Sequence, residues 1–259
     1  MKIFKIITKD EVFGSNQPNS SVRPSEVTAE SGSKFIGAVF LYLTLALFVT
    51  FAVVGGMGAL FKFAIYNNSL ADFETFIYIF IFALILYIPV MIWVHIAARR
   101  NGKTVGVAFF VYSILMGVLI SPVCVLFDFW TVVIALGTTV LAFAVMALIA
   151  WTSKKNMGKL AVIAFGLLIG ALLLSLFNFI FYLVAPGIYN ILYLVVSAIF
   201  FIAIILITIF DLKNVQQIAM NGNATKNIAF VCALNLYVDF IYIFIRILYL
   251  IAMLLGNKR

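Results

Sequence analysis

Carboxylates and imidazoles are nearly missing from this sequence. Nine Asp and Glu and a single His stand among 259 residues, and charged residues of both signs make up only 10%. Ordinary soluble domains are about a quarter charged, so a conventional water-facing surface is excluded. Cysteine is just as scarce: Cys124 and Cys232 both lie in apolar segments with no metal-binding spacing, which reads as buried, inert thiols. No nucleophile–base arrangement, Walker loop or metalloprotease motif occurs, so the residues offer no enzyme chemistry and imply no cofactor. What is abundant is hydrocarbon, at 66% of residues. That composition belongs to an all-α polytopic membrane protein whose first partner is the lipid bilayer. The net charge of +8 must then be read by where the cations sit. It is no footprint for nucleic acid.

The opening stretch "MKIFKIITKDEVFGSNQPNSSVRPSEVTAESGSK" differs from the rest, mixing both charge signs with Ser, Asn, Pro and Gly. Residues 1–33 therefore read as a disordered polar tail, and "IFKII" is too short for the apolar region of a signal peptide. Residues 34–259 read as a transmembrane domain. A bilayer core of about 30 Å needs about 20 apolar residues of helix. Seven stretches qualify, near 35–63, 75–98, 104–127, 129–151, 160–185, 188–210 and 228–255. Gly55, Gly56 and Gly58, and Gly166 with Gly170, suit close helix approach. Ser175 with Asn178, and Thr138 with Thr139, suit hydrogen bonds between helices.

The loops alternate in charge. Arg99, Arg100 and Lys103 follow the second span, and Lys154, Lys155 and Lys159 follow the fourth, whereas the opposite loops hold Asp72, Glu74 and Asp128. Lys and Arg favour the cytoplasmic side, so the amino terminus is expected inside. With seven spans the far end is outside, although Lys258 and Arg259 weigh against that.

Two acids remain unexplained by tail, loops or span edges: Asp211 in "TIFDLKNVQQ" and Asp239 in the middle of "LNLYVDFIYIFIRI". Asp211 alone reads equally well as a solvated carboxylate at the cytosolic end of the sixth span. An ionisable group at membrane depth costs at least about 2.5 kcal/mol, so Asp239 faces a bundle interior or a water-filled cavity. The bland reading is a neutral acid that glues helices. Asn235, Asp239, Tyr242 and Arg246 follow at helical steps of four, three and four, one polar stripe. Asp239 and Arg246 are about 10 Å apart along the axis, too far for a snug pair. Arg246 is therefore expected to snorkel to the outer interface, and Asp239 needs a partner from another helix. The sole histidine, His95, reads as a packed or interfacial residue and, failing that, as an auxiliary pH sensor.

These last segments resemble a known family. "LNLYVDFIYIFIRIL" is similar to the carboxyl-terminal signature of the Bax inhibitor family, and "IFDLKNVQQI" to its aspartate-bearing end of the sixth helix. "RRNGKTVGVAFFVYSILMGVLISPV" and "LGTTVLAFAVMALIAWTSKKNMGKL" resemble its third and fourth helices with their basic turns. The resemblance covers about residues 35–255 and points to the bacterial-type, seven-helix members. It implies a bundle with the last helix surrounded by the other six, and a pH-sensitive calcium leak of the bacterial cell membrane. Two aspartates would form a hydrogen-bonded pair near the cytosolic side, carried over here as Asp211 and Asp239. An arginine ending the second helix would latch onto the sixth-helix aspartate; Arg100 and Arg99 both match. The second span, "TFIYIFIFALILYIPVMIWVHIAA", lacks the pore-facing glutamate of some bacterial members. Two adjacent carboxylates cannot both ionise cheaply, so such a pair shares a proton, and its hard oxygens suit Ca²⁺ as the transported ion and metal ligand. The expected partners are thus Ca²⁺ and protons, with the chain acting as a monomer. The alternative is a non-conducting regulator that restrains a membrane-protein partner such as a protease or a death-related factor. A proton-coupled transporter ranks third, since no inverted repeat with broken helices is evident.

Overall fold

The computed structural model describes residues 24–67, 70–99, 104–153, 157–184, 186–221 and 225–256. Among them every regular element is a helix: α1 (Pro24–Tyr66), α2 (Leu70–Arg99), α3 (Val105–Val125), α4 (Phe129–Thr152), α5 (Met157–Val184), α6 (Pro186–Met220) and α7 (Lys226–Gly256). Six of them are long and apolar enough to cross a membrane, and α5 carries the shorter apolar stretch Ala161–Ser175. In lipid a helix is one of the few ways to satisfy every backbone amide internally. Where proline breaks that ladder, a neighbour repairs it. Pro122 inside α3 cannot donate to the carbonyl of Val118, and the Ser121 hydroxyl donates to that carbonyl instead, at 2.7 Å.

The last helix packs against α1, α2, α3, α4 and α6, while α5 lies along α6. More than half of the spanning windows of α3 and α7 is buried, a larger share than in the other spans. Tyr237, Leu236, Phe244 and Leu248 of α7 lose essentially all contact with the surroundings, so the core follows this helix.

Two helices run further than the apolar stretches alone indicate. α1 begins at Pro24, ahead of the expected boundary at residue 33, and proline is at home in a helix's first turn. α6 continues to Met220, ten residues beyond the expected 210, because Leu212, Val215 and Ala219 are buried at steps of three and four. The two extensions meet: a Cβ on Gly32 would lie 2.9 Å from the carbonyl oxygen of Ala219. Lys213, on the same extension, donates to the carbonyl oxygen of Ser153 at 2.9 Å and to Gln216 at 2.8 Å. Ser153 ends α4, so a cation sits at a helix carboxyl terminus, where the backbone dipole favours it.

The glycines at close crossings are not those expected. Gly55, Gly56, Gly166 and Gly170 have nothing within 4 Å of an added Cβ, and Gly58 has only ordinary contact with Val125. Besides Gly32, the tight positions are in α3. A Cβ on Gly117 would stand 2.7 Å from the Thr50 carbonyl oxygen and 2.8 Å from Val53, and one on Gly106 would meet the Phe230 ring at 2.7 Å. Small residues permit close approach, but only those facing protein use it.

Candidate functional site

α6 and α7 run antiparallel through a short turn, so residues at similar distances from it come level. Asp211 lies nine residues before Met220 and Asp239 thirteen after Lys226, about 14 and 20 Å from the turn at 1.5 Å per residue. Asp211 is therefore more than two turns inside α6 and not at its end, a correction that brings it towards the depth of Asp239. The two carboxyls lie within electrostatic reach of each other.

Each helix presents one polar stripe to this seam. On α6, Ser197, Thr208 and Asp211 are spaced by eleven and three and share a face. On α7 the stripe is Asn235, Asp239, Tyr242 and Arg246. Asp239 is 8% exposed and in side-chain hydrogen-bond contact with Thr208. The Thr208 hydroxyl points its proton at the carbonyl oxygen of Ile204, 2.8 Å away. The hydroxyl thus stands between two acceptors, this carbonyl and the Asp239 carboxyl, and its single proton can serve only one of them at a time. The second oxygen of Asp239, Oδ2, is buried with no hydrogen-bond partner among the described residues. A proton of its own, a water molecule or a cation would satisfy such an oxygen.

The remaining members of the seam divide. Asp211 is half-buried, with the Cys232 thiol within electrostatic reach. Asn235 is exposed, and Tyr242 is exposed within electrostatic reach of Tyr87 in α2 and of Asp239. Both residues therefore lie at the surface of the bundle. Arg246 does not snorkel outwards: its guanidinium donates to the Ser197 hydroxyl of α6 at 2.6 Å. Arg99 closes α2, but its side chain and all of Arg100 lie outside the described residues.

Other expectations are revised by the same hydrogen bonds. Thr138, Thr139 and Ser175 donate to carbonyls of their own helices, at Ile134, Ala135 and Leu172, and so do not join helices; Asn178 is outside the described side chains. His95 is exposed and its Nδ1 bonds the Met91 carbonyl at 2.7 Å. Both cysteines are free and buried. A polar joint that sequence reasoning missed lies across α7 from the acids. The Tyr237 hydroxyl meets Thr50 Oγ1 at 2.7 Å, and Thr50 lies 3.0 Å from the Ser113 carbonyl. Nearby, Tyr112 and Tyr87 share a 3.3 Å contact. Isolated Thr and Tyr residues 187 positions apart carry no local signal that they meet.

Among the described residues no group of three or more His, Cys, Asp or Glu gathers to hold a metal ion. The seam can exchange a proton and attract a cation, but two carboxyls and a hydroxyl fall short of the six to eight oxygens of a resident calcium site.

Comparison with known proteins gives the chain its context. The family model described as inhibitor of apoptosis-promoting Bax1 matches residues 32–257. An uncharacterised membrane protein of Streptococcus pyogenes serotype M6 is 32% identical over 152 residues, 59% of this chain and 65% of its own. The chain thus spans just under two thirds of that relative. An uncharacterised protein of Borreliella burgdorferi is 24% identical over 231 residues, covering 88% of this chain and 93% of its own. One from Lactococcus lactis is 29% identical over 184 residues, covering 69% and 76%. The several apolar helices and the membrane relatives together describe a multi-pass membrane protein.

Proposed function

This chain belongs to the Bax inhibitor family, and on that footing we propose that it is a pH-sensitive calcium leak of a bacterial cell membrane, gated by Asp211 and Asp239 as one proton-sharing pair. The observation that carries this reading is the buried, unpartnered Oδ2 of Asp239 beside a second carboxyl. With one shared proton the pair carries a single negative charge; losing that proton leaves two, and the added negative charge favours a cation. An incomplete oxygen shell binds Ca²⁺ loosely, which suits transit better than storage. All seven helices cross the membrane in this reading, with α7 as the central element. Its burial and its packing on five other helices support that arrangement.

Purified full-length protein in dye-loaded liposomes tests the proposal. Calcium entry that needs no partner and changes with pH is expected. A non-conducting regulator of another membrane protein predicts no flux, and that result would end the leak reading. In the same assay, neutralising the latch, Arg99 or Arg100, is expected to raise basal flux and flatten its pH response. Unchanged flux in both single variants and the double removes the latch.

The orientation is proposed from the loop charges, with Lys154 and Lys155 in the cytosol. A membrane-impermeant thiol reagent added to intact cells should leave Lys155→Cys unmodified on a background with Cys124 and Cys232 replaced. Labelling from outside reverses the orientation.

A further inference from the structure

The seam holds one more charge that the leak reading leaves without a role. Arg246 is half-buried in the half of the bundle away from the α6–α7 turn. It lies ten residues from Gly256, and its partner Ser197 lies eleven residues after Pro186. Both are about 15 Å inside their helices at 1.5 Å per residue, so this contact is no feature of the helix ends. A guanidinium keeps its charge in any protein setting. In a membrane interior such a charge ordinarily finds an acid, yet the contact described for Arg246 is a neutral hydroxyl. Its stripe is the one that carries Asp239 and the exposed Tyr242. On the facing helix Ser197 shares a stripe with Thr208 and Asp211. The positive charge therefore stands in line with the acidic pair, on the same seam and about two helical turns beyond Asp239.

We propose that Arg246, held by Ser197, is an electrostatic bar across the outer half of the α6–α7 seam, which limits how fast cations reach the acidic pair from that side. Arg246 is thus a selectivity-determining residue. A fixed positive charge disfavours a divalent ion twice as strongly as a monovalent one, so the bar holds Ca²⁺ to a slow leak while letting protons, which can pass by exchange along hydroxyls, reach Asp239. The inference rests on the leak reading for its cargo.

The test measures calcium entry and, in parallel, entry of a neutral sugar into liposomes holding the wild type, Arg246→Gln, Arg246→Lys or Ser197→Asp. Removing one charge about 10 Å from the path of a divalent ion at a protein-like dielectric is worth at least about tenfold in rate. Arg246→Gln should raise calcium entry by about that factor, and Arg246→Lys should stay within about twofold of wild type. Ser197→Asp, which cancels the charge without touching Arg246, should act like Arg246→Gln and keeps the test open if the glutamine variant does not fold. Sugar entry should not change. If both charge-removing variants match wild type, or if sugar entry rises with calcium, Arg246 is a packing element and the bar is overturned. A silent wild type with a conducting Arg246→Gln sinks the wild-type leak and keeps the bar. Silence in all four removes both.

Discussion

Replacing either aspartate by asparagine should flatten the pH dependence of calcium flux. Asparagine has the shape of a protonated aspartic acid and cannot lose the proton. Asp239→Asn should therefore show, at every pH, the flux that wild type shows at its acid limit. Where wild type changes by up to roughly tenfold per pH unit, the steepest slope that one shared proton allows, the variant should stay within about twofold. Asp211→Asn should do the same, since a proton shared by two carboxyls belongs to neither alone. The double variant should add little, as expected when two groups act as one unit. The sign of the wild-type response does not enter, because the comparison is with its own acid limit. Liposome flux measured against pH for both singles and the double decides the matter. Single effects that add, with an unmoved midpoint, would mean two independent structural acids.

The largest stability effect should come from a residue with no side chain. Gly117→Ala places a methyl 2.7 Å from the Thr50 carbonyl oxygen and 2.8 Å from Val53 Cβ, and the first of these is backbone that cannot rotate away. The α1–α3 crossing must widen. Overpacking of this kind costs about 1–3 kcal/mol, and here it also disturbs the Thr50 contact with Tyr237. A clear fall in thermal stability in detergent is expected. Gly166→Ala, with open space around it, is the matched control and should hold or gain slightly, since alanine is the better helix former by about 1 kcal/mol. Equal melting of the two variants would show that the α1–α3 crossing yields freely.

These contrasts mark what the sequence could and could not disclose. Apolar length reveals the helices because lipid demands long, unbroken runs; six are long and apolar enough to cross a membrane, and α5 carries a shorter apolar stretch. It fails at the start of α1, which begins at Pro24, and at the far end of α6, where burial at steps of three and four carries the helix to Met220. Leu212, Val215 and Ala219 are buried within a stretch that looks polar by composition, and this moved Asp211 from a helix end to a helix interior. The acids were legible because a carboxyl inside an apolar run is costly wherever it points. Partners were not. Nothing near Arg246 in sequence marks Ser197, and nothing near Tyr237 marks Thr50. Glycine and hydroxyl residues proved the least informative, since an α-helix turns each of them towards lipid as readily as towards protein, and a lipid-facing threonine simply bonds its own backbone.

The burial of α7 bears on how the protein is made. This helix emerges from synthesis after the other six. It carries Asp239 and Arg246, each worth about +2.5 to +3.5 kcal/mol against insertion at a helix centre, and Asn235 besides. Many of its residues, among them Leu234, Leu236, Tyr237, Phe240, Ile241, Ile243 and Phe244, are nonetheless buried by protein. Entry of α7 into lipid alone is thus poorly favoured, whereas entry beside a waiting α6 lets Arg246 meet Ser197 and Asp239 meet Thr208 at once. The earlier helices act as the template into which the last is received, and a ribosome stalled before α7 would leave an unfilled, lipid-invaded cleft, an open target for membrane quality control.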